Sequence, residues 1–113
     1  MPRHQTESAH QKKVVEHCRK LGLHVVKVQQ TSENGWPDLF IAIPGGKPLL
    51  LEMKKPGEKP TKLQLEIHDQ LRKIGYNVQW ADCAVNGKKL VDDAMVFPRA
   101  VAAVTMHRNL LGG

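Results

Sequence analysis

Aromatic side chains are scarce in this 113-residue chain: Trp36, Phe40, Tyr76, Trp80 and Phe97 are the whole set. So few rings give poor support to a surface that stacks on successive bases of a single strand. Cysteine is scarcer still. Cys18 and Cys83 stand far apart, with no CxxC or zinc-type spacing, and read as two buried, reduced thiols rather than a disulfide. The histidines, His4, His10, His17, His24, His68 and His107, include no HExxH or paired-ligand spacing, so no structural zinc site is expected. No apolar run approaches the roughly 20 residues that span a bilayer, and the opening MPRHQTESAHQKK lacks the apolar stretch of a secretory signal. The expectation is a cytoplasmic protein with no membrane partner, and there is no internal repeat or low-complexity segment to suggest an array.

What is present is a basic, moderately apolar chain. Apolar residues make up 41% of it, enough for one core, and its length suits one domain rather than two. The formal charge of +6 and pI near 9.6 fit a polyanionic partner such as nucleic acid. With base stacking poorly supported, the phosphate backbone is the part such a chain would grip. Lys55, Lys59 and Lys62, with Lys12, Lys13, Arg19 and Lys20, are candidate phosphate contacts, although most surface lysines are only solvated.

The pattern predicts a first helix from about Thr6 to Leu21, ended by Gly22. Val14, Cys18 and Leu21 form its apolar stripe, Glu7 and Gln11 fall on the same stripe, and Glu16 points away. LHVVKVQQ (23–30) reads as a strand, and TSENGWP as a turn. DLFIAI (38–43) and PLLLEMKK (48–55), joined by Pro44-Gly45-Gly46, read as a β-hairpin. A second helix is expected from Thr61 to about Ile74, with Leu63, Ile67, Leu71 and Ile74 on one face and Gly75 at its end. YNVQWADCAV (76–85) reads as a fourth strand, and the signal weakens after Asn86-Gly87. Beyond it, 90–111 leans helical around Pro98. Helices alternating with strands in this order give a mixed α/β architecture, a sheet flanked by helices.

The chemistry concentrates between Asp38 and Lys54. Thirteen residues separate Asp38 from Glu52. Because side chains alternate along a strand, Glu52 and Lys54 share a face with Leu50, while Leu49, Leu51 and Met53 form the opposite, apolar face. The hairpin brings Asp38, at the head of the neighbouring strand, to within a few ångströms of them. Two carboxylates so placed suit Mg²⁺ or Mn²⁺, which prefer oxygen ligands. A lysine beside them can position or deprotonate an attacking water, or stabilise the charge of a phosphoryl transition state. The plainer alternative is a turn aspartate beside an exposed Glu–Lys pair, since Glu-x-Lys is common by chance. Trp36 could stack on a sugar or base, or simply pack under its loop.

The run Gly35-x-Pro37-Asp38-Leu39-Phe40-Ile41, followed by Leu51-Glu52-Met53-Lys54-Lys55-Pro56-Gly57, Pro60-Thr61 and Gln64, resembles the VRR-NUC family of the PD-(D/E)xK nuclease superfamily, in its stand-alone phage and bacterial form. The resemblance covers about residues 6 to 83. It implies a restriction-endonuclease-like core, with Asp38 and Glu52 as metal ligands, the Met53 backbone carbonyl as a further ligand, and Lys54 as the catalytic lysine. It also implies functional roles for Gln64, on the helix after the Glu-x-Lys strand, and for Glu7, the acidic residue of the first helix. Each has a rival reading: Thr61-x-x-Gln64 can be a capping box, and Ser8-x-x-Gln11 can be another that leaves Glu7 outside its helix. The stretch from about Val85 matches nothing in the family pattern, so a single domain of 1–113 divides into a core of about 6–85 and a C-terminal extension, 86–113.

Together these residues imply a divalent-metal-dependent DNA endonuclease in a bacterial or phage-infected cell. No helix-turn-helix or zinc finger is present to read sequence, which points to structure-directed cutting. Likeness to Holliday-junction resolvases suggests branched DNA as substrate and a homodimer, with Leu65 and the apolar C-terminal segment as interface candidates. The alternatives are a non-catalytic nucleic-acid-binding module on the nuclease fold, which would carry a damaged Asp/Glu/Lys set, and a purely structural accessory protein.

Overall fold

Helix α1, Glu7–Lys20, is stopped where the chain needs a left-handed residue, and Gly22 supplies it at φ +77°. The computed structural model describes residues 7–28 and 35–96. The helix buries His10, Val14, Val15 and Cys18, so its inner face is centred on Val14 and Cys18 as their spacing predicts. Leu21 is the exception. It follows the last helical residue and is exposed; Leu23 turns inward in its place. Cys18 and Cys83 are both free, the first buried and the second only partly so. Burial pushes the Cys18 thiol up to about 11, which keeps it unreactive.

Strands β1 (Val25–Lys27), β2 (Leu39–Ile41) and β3 (Leu49–Met53) form an antiparallel meander, and β4 (Asn77–Ala81) adds to β3 in parallel. A parallel neighbour requires a crossover, and α2, Lys62–Lys73, provides it. The first strand is shorter than the 23–30 read from sequence; its last two residues and Thr31–Asn34 lie outside the described residues. The fourth is also shorter, because the chain leaves the sheet after Ala81 and turns helical from residue 84.

That third helical stretch, α3, covers 84–96, so it starts within the 76–85 read as a strand and before the 90 at which helix is expected. Two tertiary contacts explain it. The buried imidazole of His10 accepts a hydrogen bond from the Ala84 backbone N–H at 2.9 Å, satisfying a donor that a helix start leaves orphaned. Gly87 lies so close to α1 and β3 that a Cβ there would sit 2.7 Å from Val14 Cγ2 and 3.2 Å from Met53 Sδ. The glycine serves close packing inside a helix, not a turn. Residues 97–113, including Pro98, lie outside the described residues.

The sheet is covered on both faces. On one, Val14, Val15 and Cys18 of α1 and Val91 and Met95 of α3 pack against Leu39, Ile41, Leu49, Leu51 and Met53. On the other, Leu50 and Val78 pack against Ile67 and Leu71 of α2, flanked by Trp36 and Phe40. β3 is therefore buried along its whole length, with period-2 alternation sending Leu49, Leu51 and Met53 one way and Leu50 and Glu52 the other. The result is a mixed four-stranded sheet between helices, a restriction-endonuclease-like α/β fold. Among the described residues no helix is long and apolar enough to cross a membrane.

Candidate active site

The polar corner lies on the α2 side of the sheet, where β2 begins and β3 ends. Asp38 is fixed twice. Its backbone carbonyl accepts from Val28 N–H at 2.7 Å, and its Oδ2 accepts from the Met53 backbone N–H at 3.0 Å. The second bond lashes the carboxylate to the β3 backbone between Glu52 and Lys54. Lys54 is anchored in turn by its own backbone N–H, which donates to the Ala81 carbonyl at 2.8 Å. The hairpin register thus brings the three residues together, as the spacing and the strand alternation predict.

Lys54 Nζ donates to Gln64 Oε1 at 3.3 Å and stands 3.7 Å from Glu58 Oε1. Gln64 Oε1 also accepts from the Thr61 backbone N–H at 2.8 Å, while Thr61 Oγ1 accepts from Gln64 N–H at 3.1 Å. This is a complete capping box at the start of α2. The capping-box reading of Gln64 holds, and the same oxygen that caps the helix also holds the lysine. Glu7 lies inside α1, which removes the alternative of a Ser8 cap with Glu7 outside the helix. Half-buried, its carboxyl is raised by burial first and then by Asp38, with Lys54 opposing, so it borders the corner within charge–charge range.

The electrostatics are those of two acids sharing too little solvent. Burial pushes Asp38 up to about 7, reinforced by the adjacent Glu52 and opposed by the Met53 N–H and Lys54. Burial likewise pushes Glu52 up to about 7, against the hydrogen bond with Asp38 and the charge of Lys54. Glu52 is 1% exposed, and its Oε1 has no hydrogen-bond partner. An orphaned buried polar group costs about 1–3 kcal/mol, as much as burying a neighbouring valine or leucine gains. Stability alone would favour an apolar residue at position 52.

The sequence profile of the VRR-NUC domain matches residues 1–85. The chain belongs to the VRR-NUC domain family. It is 39% identical over 72 residues to the protein named "Putative nuclease p44" from Acyrthosiphon pisum secondary endosymbiont phage 1, a match covering 64% of this chain and 77% of that one. A solved structure named "VRR_NUC domain" superposes with a TM-score of 0.69 at 31% identity, over 78% of this chain and 97% of its own. A second, "VRR_NUC domain protein", superposes at TM-score 0.72 over 83% and 91% with 20% identity, and shows the shared fold. The chain is thus a member of a nuclease family, and the profile covers the sheet, α1 and α2 but not most of α3.

The donor set fits an oxygen-preferring ion. Asp38 and Glu52 offer two converging carboxylates, one with an orphaned oxygen, and a divalent cation is the charge that would relieve them. Among the described residues no group of three His, Cys, Asp or Glu side chains is arranged to hold a metal. An ion at this corner would have these two carboxylates and a backbone oxygen to draw on, for which the Met53 carbonyl is the candidate.

Sequence reasoning missed His68. It is fully buried on α2, with Nε2 3.5 Å from Glu52 Oε1, and neither ring nitrogen has a hydrogen bond. Burial first, then Arg72, lowers its affinity for a proton. A signal was available: His68 lies one helical turn after Gln64 and so shares its face. Glu58, the second partner of Lys54, was also not singled out. Trp36 packs against the Leu50 cluster, as its plainer reading expects. On α2, Leu63 and Ile74 are exposed rather than buried; the inner face runs through Gln64, Ile67, His68 and Leu71.

Proposed function

We propose that this VRR-NUC chain is a divalent-metal-dependent endonuclease that hydrolyses DNA phosphodiesters. The observation that carries the reading is the convergence of Asp38, Glu52 and Lys54 at one buried corner, with the lysine held by Gln64. Asp38 and Glu52, with the Met53 carbonyl, would hold Mg²⁺ or Mn²⁺. Such an ion polarises a phosphate oxygen and lowers the pKa of a bound water. Lys54 stands where an ammonium can orient the attacking water or neutralise charge gathering on the phosphate. Gln64 restricts the long lysine side chain to that position, and Glu7, within charge–charge range of Asp38 and Lys54, adds a further carboxylate. Lys55, Lys59 and Lys62, all exposed on the loop and helix beside Lys54, are suited to grip the flanking backbone.

Branched DNA is the proposed substrate and a homodimer the proposed form, working in the cytoplasm of a bacterial or phage-infected cell. A single small domain has little surface for reading sequence, and Leu65, 46% exposed on α2, offers an apolar contact for a second copy. The test is cleavage of labelled branched and linear DNA with Mg²⁺, Mn²⁺ or EDTA. Wild type should cut branched DNA preferentially and only with metal, and Lys54→Ala should lose about two to three orders of magnitude in rate while still binding. DNA bound but uncut under every condition would instead identify a binding module.

A further inference from the structure

Two polar residues of α2 face β3, and their spacings match. Gln64 meets Lys54 and His68 meets Glu52, so a step of four residues along the helix corresponds to a step of two along the strand. The rises agree: four helical residues advance about 6 Å, and two strand residues about 6.6 Å. Helix and strand therefore act as facing rails, each helical residue held opposite one residue of the polar corner. The apolar contacts of Ile67 and Leu71 with Leu50 and Val78 fix the rails against sliding.

His68 is placed on this rail at a cost. Both of its nitrogens and Glu52 Oε1 are buried without a hydrogen bond, and each orphan costs about 1–3 kcal/mol. An apolar residue of similar size would pack at least as well beside Ile67 and Leu71. The His68 Nε2 to Glu52 Oε1 approach of 3.5 Å accounts for the choice. Carboxylates that ligate metals are themselves held by outer hydrogen bonds, and losing that support weakens metal binding about 10- to 100-fold.

We propose that His68 is a positioning residue: its Nε2–H orients the Glu52 carboxylate for the divalent ion, as Gln64 orients Lys54. The inference rests on the metal-dependent reading of the site. It makes the neutral imidazole the Nε2–H tautomer, with the Nδ1 lone pair turned into the apolar cluster. It also separates metal binding from stability, because the interaction is made for the ligand and not for the fold.

The experiment is Mn²⁺ titration by calorimetry of the full chain, without DNA, on wild type, His68→Leu, His68→Gln and Glu52→Gln. Thermal melts are recorded in EDTA, and the tautomer is read from imidazole ¹⁵N shifts of the wild type. Leu at 68 should weaken Mn²⁺ binding about tenfold or more with no loss of melting temperature, and Gln, which keeps a donor, should restore part of the affinity. Leu at 68 binding Mn²⁺ like wild type, while Glu52→Gln does not, overturns the role of His68 and leaves the metal site standing. Wild type that binds no Mn²⁺ overturns both. If Leu at 68 fails to fold, the tautomer decides: Nε2–H supports the inference and Nδ1–H refutes it.

Discussion

Gln64 carries two jobs on one oxygen, and the two can be pulled apart. Substituting Ala removes the acceptor for Lys54 Nζ and the return half of the capping box. Cleavage by Gln64→Ala should fall about tenfold to a hundredfold through the loosened lysine. Gln64→Glu keeps an acceptor for both donors and should retain the helix cap. Equal rates for wild type and Gln64→Ala would show that the lysine needs no such hold. The corner of Asp38, Glu52 and Lys54 is legible from hairpin spacing and strand alternation, whereas Glu7 and Gln64 are singled out by the family resemblance. His68 was not legible, because one buried histidine among apolar neighbours acquires meaning only from what stands across from it.

Elements here are decided by their ends and by close contacts. Thr61 caps α2 with a complete box, so Thr61→Ala should cost about 1 kcal/mol, read by chemical denaturation. Gly87 in α3 shows the opposite rule. Helix propensity alone gives Gly87→Ala a gain of about 1 kcal/mol, but the new Cβ would meet Val14 Cγ2 at 2.7 Å. Overpacking of that kind costs about 1–3 kcal/mol. The variant should therefore be destabilised, and a raised denaturation midpoint would contradict the close packing of α3 on α1. From sequence the signal weakens after Asn86-Gly87, and only the neighbouring surfaces mark Gly87 as a packing site.

For the whole molecule, the two raised carboxyls link stability to pH. Asp38 and Glu52 sit near 7 in the fold, above the usual carboxylate range of about 4. Their neutral forms are thus favoured by folding. The contribution is fully present below about pH 4 and is lost as pH rises through about 7. In EDTA the melting temperature should fall from about pH 5 to about pH 8, and less so in Asp38→Asn. Mg²⁺ or Mn²⁺ at the upper end should restore it, since a ligand bound only by the folded state stabilises by mass action. A flat profile in EDTA would show that the pair is better solvated than its burial implies. Assembly is tested separately: light scattering at micromolar concentration should give a dimer, and a monomer would remove the homodimer proposal.

The sequence by itself determined the order of elements, the β2–β3 hairpin, the face on which Glu52 and Lys54 lie, and the membership of Asp38 in their corner. Each follows from a local rule: strand alternation, turn residues, caps, and the short reach of a hairpin. Only the tertiary structure decided which residues of α2 face the sheet, where β4 gives way to α3, and that Glu52 is met by His68. Those outcomes depend on contacts between elements: the phase of α2 against β3, and the packing of α3 on α1 and β3. Leu63 and Ile74 are apolar enough to be buried and are left exposed, because the packing of Ile67 and Leu71 on Leu50 and Val78 sets the phase of the helix. Periodicity reports that a face exists; packing chooses which one is used.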